Sequence, residues 1–120
     1  MATRTASVVS GSDAHARNML WEALTDTTSD VGNDVELPDH PDMSVQVIGT
    51  FGVGGTVIME GSNDGGTTYF ALVDPQGNAI SFTAAGGEQI AEAVKAIRPR
   101  VTGGDVTTDL DVYLYARSNR

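Results

Sequence analysis

The chain contains no cysteine, which excludes a disulfide scaffold and any cysteine-based metal knuckle. It also lacks long apolar runs. Stretches such as Val57-Ile58-Met59 fall far short of the roughly 20 residues a membrane-spanning helix needs. The opening MATRTASVVSGSDAHAR has no continuous apolar stretch of the kind a secretory signal carries. Positive charge is scarce: 7 Lys+Arg stand against 16 Asp+Glu, a formal net charge of −9. An acidic surface repels nucleic-acid phosphates, so no nucleic-acid partner is expected, and the short apolar runs give no reason to expect a membrane. What is present is a Gly- and Thr-rich chain of 120 residues. A chain of that length normally forms one domain and buries roughly 65–70% of its unfolded surface, enough for a core without staples.

Residues 1–17 are rich in Ala, Ser and Thr, with Val8 and Val9 among the few larger apolar groups and no sustained periodicity. They are read as an arm that is disordered alone or ordered against a partner. Residues 18–120 are read as the folded body. Within it, residues 19–25 are taken as a strand with Leu20, Glu22 and Leu24 on one face and Met19, Trp21 and Ala23 on the other. From Met43 the chain alternates regularly. Val45 and Val47 share a face in residues 44–50, and Phe51-Gly52-Val53-Gly54-Gly55 is a turn leading to a β-branched strand over 56–60, a pair read as a hairpin. Gly61-Ser62-Asn63-Asp64-Gly65-Gly66 is the clearest turn signal, because Asn and Asp tolerate left-handed backbone and Gly accepts it freely. Strands follow over 68–73 and 79–83, separated by a turn with Pro75 at its second position.

Residues 88–95 alone have helical character, Ile90 and Val94 being four apart, yet Glu88 and Glu92 form a like-charge pair. At most a short helix or single turn is expected there. Residues 96–102 read as an edge strand, because Pro99 cannot donate to a ladder. In residues 109–116 the alternation is cleanest, with Leu110, Val112 and Leu114 inward and Asp109, Asp111, Tyr113 and Tyr115 outward. About seven short antiparallel strands separated by Gly/Asp/Asn turns define an all-β, single-domain β-sandwich, jelly-roll-like in its spacing.

Few residues carry chemistry. His15 lies in the arm and His40 between Asp39 and Pro41, while Ser10, Asp13 and His15 are too close in sequence to hold a triad's geometry. No catalytic residue is assigned and no enzyme is expected. Residues 26–42 hold Asp26, Asp30, Asn33, Asp34, Glu36, Asp39 and Asp42 without a Lys or Arg between them. Such oxygen ligands suit Ca²⁺, but the spacing is not that of a calcium loop, so a solvated acidic segment is preferred and no metal or cofactor is assigned. The glycines of 49–55 are followed by neither Lys-Ser/Thr nor a helix, which excludes a phosphate cradle. Trp21, Tyr69, Tyr113 and Tyr115 are the groups available to stack on a sugar. Tyr113 and Tyr115, opposite the apolar face of their own strand, point instead to a contact with another subunit.

The segments 44–50, 57–65, 72–78, 97–101 and Gly103-Gly104-Asp105 with 109–115 resemble the head decoration (cement) proteins of tailed bacteriophages. The resemblance covers residues 43–116. It implies a β-sandwich protomer grouped as a homotrimer on the outside of the virion's capsid, bridging capsomers against internal pressure, with the major capsid protein as partner and no catalysis. Partner contacts are then expected from Arg4, Val8, Val9 and Arg17 in the arm, from Tyr113 and Tyr115, and from Arg117 with Arg120 near the C-terminus. Two other readings fit the same residues: a carbohydrate- or host-surface-binding module of the virion, and a tail-tube or tail-terminator subunit.

Overall fold

A computed structural model describes residues 3–9, 16–25, 30–36, 40, 42–92 and 94–118. Eleven strands form: β1 (Thr3–Arg4), β2 (Ser7–Val8), β3 (Ala16–Leu24), β4 (Val31–Gly32), β5 (Asp42–Thr50), β6 (Thr56–Ser62), β7 (Phe70–Ala71), β8 (Ser81–Phe82), β9 (Gly86–Ile90), β10 (Ala96–Thr102) and β11 (Asp109–Arg117). They build a two-sheet β-sandwich. One sheet runs β1-β4-β10-β6-β7, with β8 also pairing β6; the other runs β2-β3-β11-β5-β9. All seven expected strands are present, and β1, β2, β4 and β9 are additional. Most pairings are antiparallel as expected, but β1 and β4 run parallel.

The alternation of β11 sets the second sheet. Leu110, Val112, Leu114 and Ala116 are fully buried between the sheets, facing Met59, Ile97 and Val101 of the first. Val45 and Val47 of β5 and the pair Ile80 and Phe82 join the same core. In β3 simple alternation fails, for Trp21 and Leu24 are both fully buried while Glu22 and Ala23 between them are exposed. A bulge explains the change. Leu110 pairs Leu24 and Val112 pairs Trp21, so β3 fits one extra residue opposite Asp111. Ala23 takes up the kink with a φ of 57°, and its N–H donates to Asp111 Oδ1 at 3.1 Å.

Trp21 then reaches across the sandwich. Its Nε1–H is shared by the carbonyl oxygen and Oδ1 of Asn33, each at 3.1 Å, just past β4 in the opposite sheet. The indole occupies the space above Gly32. A Cβ there would lie 2.5 Å from Trp21 Cδ1 and 2.6 Å from Pro99 Cδ. Pro99 is therefore not on an edge strand: β10 sits between β4 and β6, with Pro99 buried opposite Met59. The correction has a local cause. Ile97 and Val101 donate their N–H groups to Val35 and Asp30 on the β4 side, and the N–H that proline lacks falls between those two bonds.

The pair over 44–50 and 56–60 is likewise not a hairpin. Both edges of β5 are taken, by β11 and β9, so the 51–55 turn carries the chain into the other sheet, where β6 pairs β10. The return crossover, between β10 and β11, is stitched to the first. Asp105 Oδ2 accepts from Val53 N–H at 2.9 Å, and Thr108 Oγ1 donates to the Phe51 carbonyl at 2.8 Å. Residues 86–90 form β9 rather than opening a helix, and no helix occurs among the described residues. The free edge of β5 offers a full ladder, which outweighs one weak helical turn with a like-charge pair. Ile90 still reaches the core and Val94 packs against it beside Gly61.

Residues 3–9, part of the segment read as an arm, lie on the body. β1 extends the first sheet, β2 pairs β3 in the second, and β3 begins at Ala16 rather than at residue 18. Single backbone and side-chain bonds hold the crossing, including Ala6 N–H to Asn33 Oδ1 at 2.8 Å and Asn33 N–H to the Arg4 carbonyl at 2.8 Å.

The 61–66 turn closes on Asp64, whose Oδ1 accepts from Ser62 Oγ, Thr67 N–H and Thr68 N–H at 2.8 to 3.1 Å. These bonds, led by that from Thr68, hold its pKa down at about 2, from an ordinary 3.8. The next strand consequently starts at Phe70, after the loop is complete.

Two outcomes follow. Gly32→Ala should lower stability by about 1–3 kcal/mol in urea unfolding, since neither ring facing it can yield without disturbing the core; an unchanged midpoint would mean the indole is not confined there. Asp64 stabilises the fold only while ionised, fully above the unfolded value of 3.8, with the contribution lost as pH falls toward about 2. Asp64→Asn should therefore flatten the loss of unfolding midpoint across that acid window, and a parallel pH profile for both proteins would contradict this.

Candidate interaction face

The outer face of the β2-β3-β11-β5-β9 sheet carries three of the residues expected to meet a partner, Tyr113, Tyr115 and Arg117. Because alternate residues of β11 are locked in the core, Tyr113 and Tyr115 must point outward, one half-buried and the other 44% exposed. They stand roughly 7 Å apart along the strand. Asn18, Tyr115, Ser44 and Gln89 form one row across four strands, and Leu20, Tyr113, Gln46 and Gly87 form the next. Two adjoining open depressions lie between these side chains, sharing Ser44 and Tyr115. At the end of the face Arg117 donates to Asp42 at 2.6 Å, an exposed pair that leaves the face without surplus charge at this point. Ile48, 37% exposed, lies opposite Asp111 at the other end. The arrangement offers two aromatic rings, several amides and the hydroxyls of Ser44, Tyr113 and Tyr115.

The remaining candidates are scattered. Arg4 faces inward along the sheet edge, where Nε and Nη2 donate to Asp30 Oδ2 at 3.3 and 3.2 Å. Asp30 is 1% exposed and also accepts from Thr25 N–H and Oγ1. Arg4 is thus a counter-charge within the fold. Val8 is 59% exposed and lines a groove with Arg17, Met19 and Val35. Val9 is half-buried and its N–H donates to the Asn18 carbonyl at 2.8 Å. Trp21, fully buried, is withdrawn from any sugar-stacking role. Ser10, Asp13, His15, Asp26, Asp39 and Arg120 lie outside the described residues, and His40 is buried.

The acidic segment is more engaged than its composition suggested. Asp30 pairs Arg4, Asp42 pairs Arg117, and both oxygens of Asp34 accept from Tyr69 Oη at 2.8 and 2.9 Å. Among the described residues no group of three or more His, Asp or Glu is placed to hold a metal ion. No described helix is long and apolar enough to cross a membrane.

Sequence reasoning missed a second cluster, on the outer face of the other sheet. Glu60, nearly buried on β6, accepts from Arg98 Nε at 3.2 Å and from Arg100 Nε at 3.0 Å, both on β10. The Arg98 guanidinium stacks on the Tyr69 ring, 3.5 Å from its centroid. Burial, then the bond to Asp34, pushes the Tyr69 hydroxyl above its ordinary value, so it remains a donor. The spacing Arg98-Pro99-Arg100 was the available signal, because residues two apart on a strand share a face.

No protein-family model matches this chain, and no curated protein matches it. Among solved structures it is similar to the SPBc2 prophage-derived protein YomS, with a TM-score of 0.60 over 89% of this chain and 98% of that one, at 13% identity. A looser likeness is to protein NMB1881 from Neisseria meningitidis, with a TM-score of 0.39 at 11% identity, covering 94% of this chain and 83% of that one. The first of these shows a shared β-sandwich fold.

The arm's role in the fold is open to direct measurement. Arg4→Ala leaves the Asp30 carboxylate buried without its cation and should cost about 1–3 kcal/mol, less than a fully buried pair because Arg4 is partly solvated. Chemical denaturation reads this out, and wild-type stability would place Arg4 outside the fold's support.

Proposed function

We propose that the protein is a non-enzymatic structural component of a tailed-phage particle, binding the outside of the capsid as a decoration protein. The observation that carries the reading is the outward pair Tyr113 and Tyr115, held on a flat amide-lined face by the buried half of their own strand. Tyrosine supplies large, rigid contact area at small entropic cost, and fixed rings on a sheet suit a standing contact better than turnover. The fold shared with a prophage-derived protein supports a phage setting, and the resemblance of residues 43–116 to head decoration proteins supports the capsid exterior. The major capsid protein is the proposed partner and a homotrimer the proposed working state. Since Arg4 is engaged internally, attachment is assigned to Tyr113, Tyr115 and Arg117, with Val8 and Arg17 contributing from the sheet edge.

A second reading has its own support. Asn18, Gln46, Gln89 and Ser44 around two outward rings, one half-buried and one exposed, are also the groups that hold a carbohydrate, by stacking and amide hydrogen bonds. A co-sedimentation assay with capsids lacking the protein separates the two. Tyr113→Ala with Tyr115→Ala should weaken capsid attachment by at least about tenfold with the unfolding midpoint retained, as loss of an aromatic anchor does. Attachment unaffected by the double substitution, or a face that binds glycans and ignores capsids, would overturn the decoration reading.

A further inference from the structure

We infer that Arg98 and Arg100 form a docking site for a carboxylate side chain of a protein partner, on the sheet opposite the tyrosine face. The site does not depend on the proposed function, because it is built from other residues. Each guanidinium spends its Nε–H on one oxygen of Glu60. The η nitrogens of both have no partner among the described residues. Of the other described arginines, Arg4 pairs one to one with Asp30 and Arg117 with Asp42, and Arg17 has no ion pair among the described residues, whereas Glu60 alone serves two. The ion-paired set of Glu60, Arg98 and Arg100 therefore carries one net positive charge in a chain of net −9, with the Asp34 carboxylate held at the far end of the Tyr69 ring.

The site is also preorganised. Glu60 is 9% exposed and fixes both side chains from below, while Tyr69 stacks on Arg98 and is itself anchored through its hydroxyl to Asp34. Side chains already held in place lose little freedom when a ligand arrives, and a guanidinium presents donors in the fork that a carboxylate accepts. The side chains are 22% and 37% exposed, reachable but partly shielded from water. A partner carboxylate is preferred to nucleic acid, since a planar carboxylate fits the guanidinium fork and a duplex would bring many more phosphates against the surrounding negative charge.

The test uses the intact chain and the ¹⁵Nε–Hε resonances of its arginines. Hexaglutamate peptide should shift Arg98 and Arg100 together and leave Arg117 unmoved, while inorganic phosphate and a short DNA duplex should do so far more weakly. Arg98→Lys and Arg100→Lys keep the charge that Glu60 needs and should each weaken hexaglutamate binding by about tenfold, through loss of the fork. Thermal unfolding confirms that both variants fold, and Arg117→Lys is the control. Unmoved Arg98 and Arg100 resonances would overturn the site. A response to phosphate or DNA equal to that with hexaglutamate, or equal weakening by Arg117→Lys, would overturn the carboxylate assignment.

Discussion

The indole of Trp21 is the constraint on which the sandwich depends. It belongs to one sheet, and its only polar atom is satisfied in the other, by Asn33. Around that bond the neighbours have little freedom: residue 32 must lack a side chain, and Pro99 closes the other wall. Burying a ring of this size without pairing its N–H would sacrifice much of what the burial contributes. The β3 bulge belongs to the same arrangement, because without the extra residue at Ala23 either Trp21 or Leu24 would face solvent.

Asn33 extends this linkage to the N-terminus. The Oδ1 that accepts from Trp21 also accepts from Ala6 N–H, so one side chain joins the core, β4 and the strand that crosses between the sheets. Two residues away on the arm, Arg4 neutralises Asp30, the most deeply buried carboxylate described. The segment that looked least structured thus supplies both an edge for each sheet and a charge the interior requires.

With few cations available, placement determines what each does. Arg4 covers the buried Asp30 at the sheet edge, Arg117 balances Asp42 at the rim of the tyrosine face, and Arg98 and Arg100 converge on Glu60 on the opposite side. The two outer faces consequently differ in kind. One is aromatic and amide-rich, suited to broad contact; the other is a small charged cluster, suited to one oriented acid group. A body with two unlike outer faces can contact two different surfaces at once.

Much of this was legible from the amino acids alone. Two-residue alternation is a local property, and it indicated the all-β class, seven of the eleven strands, the buried side of 109–116 and the outward tyrosines, while Gly, Asn, Asp and Pro marked the Asp64 and Pro75 turns. Tertiary structure decided what depends on distant neighbours. Whether 44–50 pairs with 56–60 was settled by β11 and β9 having filled both edges of β5, and whether 86–90 is strand or helix by the ladder β5 still had to offer. The engagement of Arg4 and of Arg98, Arg100 and Glu60 needed the same information, since ion pairs form between segments tens of residues apart. Periodicity specifies which way a side chain points; only the folded arrangement specifies what it meets.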